Sequence, residues 1–366
     1  EMEYAVKRVE DVKNSKDKYV MYRDIRPIID LKQMIESSVE RYGDNVAFHV
    51  KDKVGGPYRG ITYKEAKTDM DALGTALTSM GLQGKSIGII GDNRYEWAIS
   101  YLSTVCGTGI VVPLDKELGA SELEQLIKEA DVECVIYSKK YESLFREMKD
   151  RGETKLRFLI NMDAGISDEN VLSWKELTAA GKVLIENGNR EFLDAQIERD
   201  TMSIILFTSG TTGIAKGVML SHGNIVEDLM ASPTLLEVRP EDVFFSVLPI
   251  HHTYECTCGF LMPLYRGASV AYCEGLKYIV TNLSEARPTI FLGVPLIFES
   301  LYKKIWQNAK KSGKTDTLKR VIAINKKTKK IGIDLAPIFF KQIQALFGGR
   351  MKVLICGGAA IDPDVL

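Results

Sequence analysis

The most informative segment of the chain reads Ile204-Ile205-Leu206-Phe207-Thr208-Ser209-Gly210-Thr211-Thr212-Gly213-Ile214-Ala215-Lys216-Gly217-Val218. An apolar run gives way to a loop with three glycines, four hydroxyl side chains and one lysine, and an apolar residue then restarts regular structure. Glycines allow positive φ and bring backbone N–H groups close to an anion, while hydroxyls donate hydrogen bonds and the lysine adds a positive charge. The segment therefore predicts a phosphate-binding loop.

The spacing of this loop excludes two common nucleotide-binding patterns. A Walker A loop needs a second glycine directly before the lysine and a serine or threonine directly after it. This chain has Ala215 and Gly217 at those places. The dinucleotide pattern G-x-G-x-x-G also fails, because Gly210 and Gly213 are not accompanied by a glycine at Thr212.

The loop resembles the phosphate loop of the adenylate-forming (AMP-binding) superfamily, whose pattern is Thr-Ser-Gly-Thr-Thr-Gly, two residues, Lys-Gly. Ala215 stands where that family usually has proline. The resemblance implies an enzyme that uses ATP and Mg²⁺ to join a carboxylate to AMP and then passes the acyl group to a thiol. It implies Lys216 as a catalytic residue and assigns ATP binding to Thr208, Ser209, Gly210, Thr211, Thr212, Gly213 and Lys216.

Composition indicates a globular protein with a sizeable core. The chain has 366 residues, is 45% hydrophobic and carries a formal net charge of −1, so it is long enough for two or three domains and lacks a general attraction to nucleic acid. Six dispersed cysteines predict reduced thiols in a cytoplasmic protein. Cys256 and Cys258 lie near a histidine pair, but Cys-x-Cys is an unusual zinc spacing. No stretch reaches the ~18 apolar residues of a spanning helix, which predicts that the chain is not an integral membrane protein.

Short apolar strands alternate with helical patterns along most of the chain. Apolar runs at residues 86–90, 109–115 and 132–137 alternate with helical periodicity, which predicts an α/β fold with doubly wound, mostly parallel sheets and flanking helices. We expect interlocked subdomains at approximately residues 65–235 and residues 31–64 plus 236–366. Three local predictions are a surface arm over residues 1–30, a helix cap at Asn93 and a helix N-terminal position for His222.

A histidine pair follows another predicted strand, in the sequence Leu248-Pro249-Ile250-His251-His252-Thr253-Tyr254-Glu255. Loops at the carboxyl ends of strands are where α/β sheets bind ligands. The segment is similar to the family's Leu-Pro-x-x-His stretch, which by position implies His252 as a catalytic and substrate-binding residue near the acyl carboxylate. Tyr254 is a further substrate-binding candidate. Both assignments come from the resemblance.

Two further segments extend the resemblance. Gly293-Val294-Pro295 resembles the Val-Pro segment of long-chain acyl-CoA synthetases, which implies a medium to long fatty acid and CoA as co-substrates. Near the end of the chain, Gly357, Gly358 and Ala359 follow a predicted strand and resemble a Gly-Gly-Ala segment that contacts adenine and the acyl pocket. They are candidate nucleotide-binding residues, and Gly357 is also a substrate-binding candidate.

The segment from Lys303 to Lys330 contains eleven basic residues and one acidic residue. Three interpretations stay open for it: a solvated helix face, contact with an anionic membrane surface, or contact with CoA phosphates. Membrane association is therefore an alternative to a purely cytoplasmic location.

The chain ends at Leu366, before the segments in which the family carries a magnesium-binding glutamate, a ribose-binding aspartate and the lysine of a mobile lid. The sequence thus predicts an incomplete large N-terminal adenylation domain without its C-terminal lid, and little or no adenylation by it. A fatty acid CoA ligase is the leading hypothesis. An acyl-ACP ligase, an aryl-acid ligase, a non-catalytic nucleotide- or acyl-binding protein and a membrane-surface scaffold are alternatives.

Overall fold

A computed structural model describes residues 2–208, 215–333 and 341–365. Its backbone forms two compact units. The first comprises residues 1–50, 60–241 and 249–269, and the second comprises residues 51–59, 242–248 and 270–366.

The first unit is built on a seven-stranded sheet. Its strands are β3 (Ser86–Ile90), β4 (Ile110–Pro113), β5 (Val132–Tyr137), β6 (Phe158–Asn161), β7 (Leu172–Ser173), β8 (Met202–Thr208) and β9 (Lys216–Ser221). Among the described residues their order is β7-β6-β5-β3-β4-β8-β9. Every neighbouring pair is parallel except β8 and β9, which form an antiparallel hairpin. The expected mostly parallel sheet is confirmed.

Helices and two further strands complete this unit. The strands are β1 (Val46–Val50) and β2 (Arg59–Thr62), whose first residue clusters with the second unit. The helices are α1 (Met2–Lys13), α2 (Leu31–Tyr42), α3 (Tyr63–Leu77), α4 (Tyr95–Ser103), α5 (Ala120–Glu129), α6 (Glu142–Arg151), α7 (Trp174–Glu186), α8 (His222–Ala231) and α9 (Met262–Arg266). A π-helical segment, Tyr254–Leu261, directly precedes α9.

Local sequence explains how these elements begin and pack. Thr62 and Glu65 form a capping box at the start of α3, and Ser221 caps α8 in the same way with Asn224. All five residues of β3 are buried, as expected for a central parallel strand with both faces covered. Helices α5 and α6 cover one face of the sheet, where Leu126, Phe145 and their neighbours form an apolar cluster.

The second unit contains four neighbouring strands of a sheet, together with its own helices. Its strands are β10 (Val243–Ser246), β11 (Ser269–Tyr272, of which Ser269 clusters with the first unit), β12 (Ile290–Gly293) and β13 (Val353–Cys356). They lie in the order β13-β12-β10-β11. Strand β12 is parallel to both β10 and β13. The helices are α10 (Ile279–Ala286), α11 (Pro295–Lys311), α12 (Thr315–Lys329) and α13 (Lys341–Leu346).

Two local predictions were wrong. Residues 1–30 are not only a surface arm, because residues 2–13 form α1 and bury Ala5 and Val9. Helix α7, for which no prediction was made, lies in the polar stretch after β6 and packs against α3. Helix α4 has Arg94 rather than Asn93 at its N-cap position, and Asn93 contacts a distant loop instead.

Candidate functional site

The carboxyl edge of the seven-stranded sheet gathers most of the candidate residues of the first unit. Strands β3, β4 and β8 are parallel neighbours, so their carboxyl ends at Ile90, Pro113 and Thr208 lie at the same edge. The loops that follow these strands carry polar side chains, and the strands fix the position of the loop ends. In parallel α/β sheets this edge is where ligands bind.

The predicted phosphate loop connects the two strands of the β8–β9 hairpin. Thr208 at the end of β8 pairs with Lys216 at the start of β9, and both residues are exposed. Ser209, Gly210, Thr211, Thr212 and Gly213 lie outside the described residues. Gly217 packs against Ile205 and Phe207, where an added Cβ would come within 3.2 and 3.3 Å of their side chains. The hairpin therefore fixes the two ends of the loop and sets the backbone of Lys216.

His252 lies in the loop after β10, in the first unit. Its backbone N–H donates to the carbonyl of Pro249 at 3.0 Å, and the backbone N–H of Tyr254 donates to its Nδ1 at 3.2 Å. A nitrogen that accepts a hydrogen bond carries no proton, so the neutral ring holds its proton on Nε2. The ring belongs to an exposed residue and can present this Nε2–H as a donor.

Two residues that follow the carboxyl ends of β3 and β4 lie next to the histidine loop. Asn93 Oδ1 accepts a hydrogen bond from the backbone N–H of Ile250 at 3.2 Å. Asp115 Oδ1 lies 3.6 Å from His251 Nε2. Burial lowers the pKa of His251, and the negative charge of Asp115 opposes that effect. Burial thus favours the neutral form of His251, which lies beside Asp115 just after β4, whereas His252 is exposed in the same loop.

Sequence reasoning missed the roles of Asn93 and Asp115. Each stands within a few residues of a strand end, which was the available signal, but their partners lie more than 130 positions away along the chain. Asn93 also fits a helix-cap pattern, which concealed its contact with the loop.

Tyr254 begins the π-helical segment, a type of distortion that often occurs at functional sites. The following residue, Glu255, is fully buried and its carboxyl group lies against Gly259, where an added Cβ would be 2.7 Å from the carboxyl carbon. A larger residue at position 259 would force the buried carboxyl group of Glu255 to move. Tyr254 is half-buried at the first position of this segment.

Gly357, Gly358 and Ala359 follow β13 in the second unit. The backbone N–H of Gly357 donates to the carbonyl of Gly293 at 3.1 Å and continues the pairing of β12 with β13. Gly358 has φ of +81°, a left-handed conformation that favours glycine. Gly358 and Ala359 are exposed, so they form an open backbone surface at the carboxyl end of two parallel strands.

Comparison with known proteins shows the family to which this chain belongs. Residues 35–366 match the family of AMP-binding enzymes. The chain belongs to this family. Its relatives include long chain acyl-CoA synthetase 2 of Arabidopsis thaliana, 29% identical over 86% of this chain and 50% of the relative. Long-chain-fatty-acid--CoA ligase 6 of Mus musculus is 30% identical over 85% of this chain and 47% of its own length.

The chain thus spans about half the length of these curated relatives. Solved structures agree on the fold. The adenylation and carrier didomain of a carboxylic acid reductase from Segniliparus rugosus, in complex with AMP, has a TM-score of 0.75 at 19% identity over 100% of this chain and 55% of that chain. An anthranilate CoA ligase in complex with anthranoyl-AMP has a TM-score of 0.66 at 20% identity over 74% of this chain and 51% of that chain.

The cysteines of this AMP-binding family member are all free, and four of the six are buried. Burial raises the pKa of Cys256 to about 12, which keeps it a thiol at neutral pH. Within the described ranges, no three or more His, Cys, Asp and Glu side chains form a group that could hold a metal ion. The zinc interpretation of the Cys256 and Cys258 region therefore gains no support from the described side chains.

His222 occupies a structural position at the start of α8, as predicted. Its Nδ1 accepts from the backbone N–H of Leu31 and its Nε2 donates to the carbonyl of Val105, each at 3.0 Å. Burial lowers its pKa to about 4. The ring is therefore neutral at physiological pH and joins α8 to α2 and to the segment after α4.

Proposed function

We propose that this chain provides the nucleotide- and acyl-binding part of a ligase that activates a fatty acid with ATP and transfers it to CoA. The observation that carries the proposal is the shared edge of the first unit's sheet, from which both the Thr208–Lys216 hairpin and the anchors of the His252 loop project. Phosphate-binding and carboxylate-orienting groups are the two components that adenylate formation requires.

The phosphate component rests on the loop chemistry and on Lys216. An ammonium group at the start of β9 adds charge next to a loop rich in hydroxyls and backbone N–H donors. We assign ATP binding to Thr208, Ser209, Gly210, Thr211, Thr212, Gly213 and Lys216. Mg²⁺ usually binds through nucleotide phosphates and one or two carboxylates, so ATP itself can supply most of its ligands.

The acyl component rests on His252. With Nδ1 accepting from Tyr254, the Nε2–H of the neutral ring can donate to a carboxylate oxygen and orient it toward the nucleotide. Because Asn93 accepts a hydrogen bond from the backbone of the same loop, the donor is held near the carboxyl end of β3. We propose Tyr254 and Gly357 as further residues that border the acyl group, and Gly357, Gly358 and Ala359 as the surface for adenine.

The proposed acid is a long-chain fatty acid and the proposed acceptor is CoA. Support comes from the long-chain acyl-CoA synthetases among the relatives, which match most of this chain. A neighbour with an aryl acid, the anthranilate CoA ligase, shares the fold at 20% identity. The acid class therefore needs a direct measurement in which aryl and fatty acids compete.

Acyl-sulfamoyl adenosines test the proposal because they mimic the adenylate without reacting. Calorimetry with the 366-residue chain would compare palmitoyl, octanoyl, acetyl and anthraniloyl analogues. We expect the palmitoyl analogue to bind tightest, since each buried methylene contributes about 0.8 kcal/mol. Equal affinity for all four, or preference for the anthraniloyl analogue, would overturn the substrate assignment. No binding of any analogue would overturn the function.

A further inference from the structure

Helices α11 and α12 form a lysine-rich hairpin in the second unit, which we call the basic hairpin (residues 295–330). The two helices pack against each other, and Gly313, with φ of +66°, makes the turn between them. No residue of α12 is fully buried. Helix α11 buries Ile297, Phe298 and Leu301 at its start, whereas α12 adds no fully buried side chain to the core, so core packing does not explain the lysine-rich composition of α12.

Charge is distributed unevenly along this nearly neutral chain. The residues of the second unit include nineteen lysines and arginines but only nine aspartates and glutamates, so that unit carries a net charge of about +10. Eleven of those basic residues lie between Lys303 and Lys330, with Asp316 as the sole acidic residue of that segment. Such a concentration attracts polyanions and anionic surfaces.

The outward face of α12 collects this charge. Its half-buried positions recur at helical spacing and mark the inner face, at Thr315, Leu318, Val321, Asn325 and Thr328. At 100° per residue, the opposite face holds Lys319, Arg320, Lys326, Lys327 and Lys330, all exposed. On α11 the exposed basic residues are Lys303, Lys304, Lys310 and Lys311. Within the described residues, no ion pair is recorded for any of these nine side chains.

Apolar side chains border this basic face. Ile322 and Ile324 are 40% and 46% exposed and lie on either side of it. Ile331 and Ile333, just after α12, are 73% and 50% exposed. A binding face for nucleic acid would not need exposed isoleucines, whereas a membrane surface takes up both lysines and apolar side chains. The combination favours a lipid partner.

We propose that the basic hairpin is a docking surface for an anionic phospholipid bilayer. Phospholipid headgroups would face the lysines, and the isoleucines would enter the boundary between headgroups and acyl chains. No helix among the described residues is both long and apolar enough to cross a bilayer. The contact proposed here is therefore peripheral and weakens as salt screens the charges. It goes beyond the ligase function and does not depend on it, since binding is measured without ATP.

Vesicle co-sedimentation tests this surface directly. Vesicles of phosphatidylcholine alone would be compared with vesicles that also contain phosphatidylglycerol, at low and high salt. The patch variant replaces four exposed side chains, K319Q/R320Q/K326Q/K327Q. The matched control makes the same charge change in the first unit at exposed lysines without a recorded ion pair, K7Q/K13Q/K16Q/K175Q.

We expect the unaltered chain and the control to bind the anionic vesicles, and the patch variant to bind them at least about tenfold more weakly. Equal loss in the patch variant and the control would overturn the proposal, because it would show an effect of net charge alone. A second patch variant on α11, K303Q/K304Q/K310Q/K311Q, serves if the first does not fold.

Replacement of the exposed isoleucines distinguishes a lipid partner from a soluble polyanion. The variant I322S/I324S should lose affinity for anionic vesicles at high salt and keep its affinity for heparin and double-stranded RNA. Unchanged vesicle binding by this variant, or complete displacement from vesicles by CoA or RNA, would contradict a bilayer as the partner and indicate a soluble polyanion instead.

Discussion

Two adjacent histidines, His251 and His252, have different surroundings in the loop after β10. His251 lies beside Asp115 with a lowered pKa, while His252 accepts a backbone hydrogen bond at Nδ1 and faces outward. The first ring is largely buried beside a carboxylate, and the second presents a donor. This difference depends on contacts across the fold, so no pattern in the sequence could distinguish the two residues except by resemblance to a family motif.

Replacement of His252 tests the donor. The variant H252A should bind the palmitoyl-sulfamoyl adenosine about tenfold more weakly, because it loses one hydrogen bond worth about 1 kcal/mol or slightly more. Calorimetry measures the affinity, and ¹⁵N spectra of the imidazole should show the Nε2-protonated tautomer in the unaltered chain. An Nδ1-protonated ring, or full affinity in H252A, would remove His252 from the acyl site.

His222 predicts a pH dependence of stability. Its pKa is about 4 in the folded chain and near 6.5 when unfolded, so the unfolded state binds more protons between these values. The stabilising effect is complete above pH 6.5 and decreases as the pH falls toward 4. Urea unfolding at pH 7 and pH 5 should differ by about 2 kcal/mol from this residue.

The variant H222Q removes that titration, and its stability should vary less between pH 7 and pH 5 than that of the unaltered chain. H252Q is the matched control, because its ring is exposed rather than buried. If H222Q and H252Q gave the same pH dependence, the buried neutral ring would not be the cause.

At the scale of elements, the β8–β9 hairpin holds the ends of the predicted phosphate loop. The variant K216M should weaken ATP binding by about tenfold or more, since hydrogen bonds that involve a charged group contribute roughly 1.5 to 3 kcal/mol. Fluorescence titration with an ATP analogue measures the change. K175M, which removes an exposed lysine from α7, should leave the affinity unaltered. Equal affinities for K216M and K175M would argue against a role for Lys216.

Replacement of Gly358 tests whether the turn after β13 needs a residue with a left-handed backbone conformation. An alanine there finds space, because its Cβ would be 3.5 Å from Val294, but it must adopt a left-handed φ of +81°. We expect G358A to lower the free energy of unfolding by about 1 kcal/mol. The control G165A has open space and no positive φ, and it should change stability by less than about 0.5 kcal/mol. No loss in G358A would show that the turn relaxes.

The elements that sequence patterns predicted well are those with continuous local signals. Buried strands such as β3 and β5 have uninterrupted apolar runs, and the capping residues of α3 and α8 satisfy backbone donors of their own helices. Helix α7 was missed because its polar surroundings hide the face that packs on α3. The side-chain anchors Asn93 and Asp115 were missed because their contacts are long-range.

For the molecule as a whole, the near-zero net charge conceals a strong asymmetry. The second unit is positive by about ten charges, so the first unit carries about eleven negative charges. The sequence revealed the lysine-rich segment, but only the fold shows that its residues share the outward faces of two helices. That arrangement, together with the exposed isoleucines beside it, is the basis for proposing a docking surface.

The central claim is that nucleotide and fatty acyl group bind together in one adenylate site. The most direct measurement compares the affinity of the 366-residue chain for palmitoyl-sulfamoyl adenosine with its affinities for adenosine 5′-sulfamate and for palmitate. We predict that the joined ligand binds at least a hundredfold more tightly than either part, and that H252A and K216M both reduce this gain. A joined ligand that binds no better than its stronger part would contradict the account.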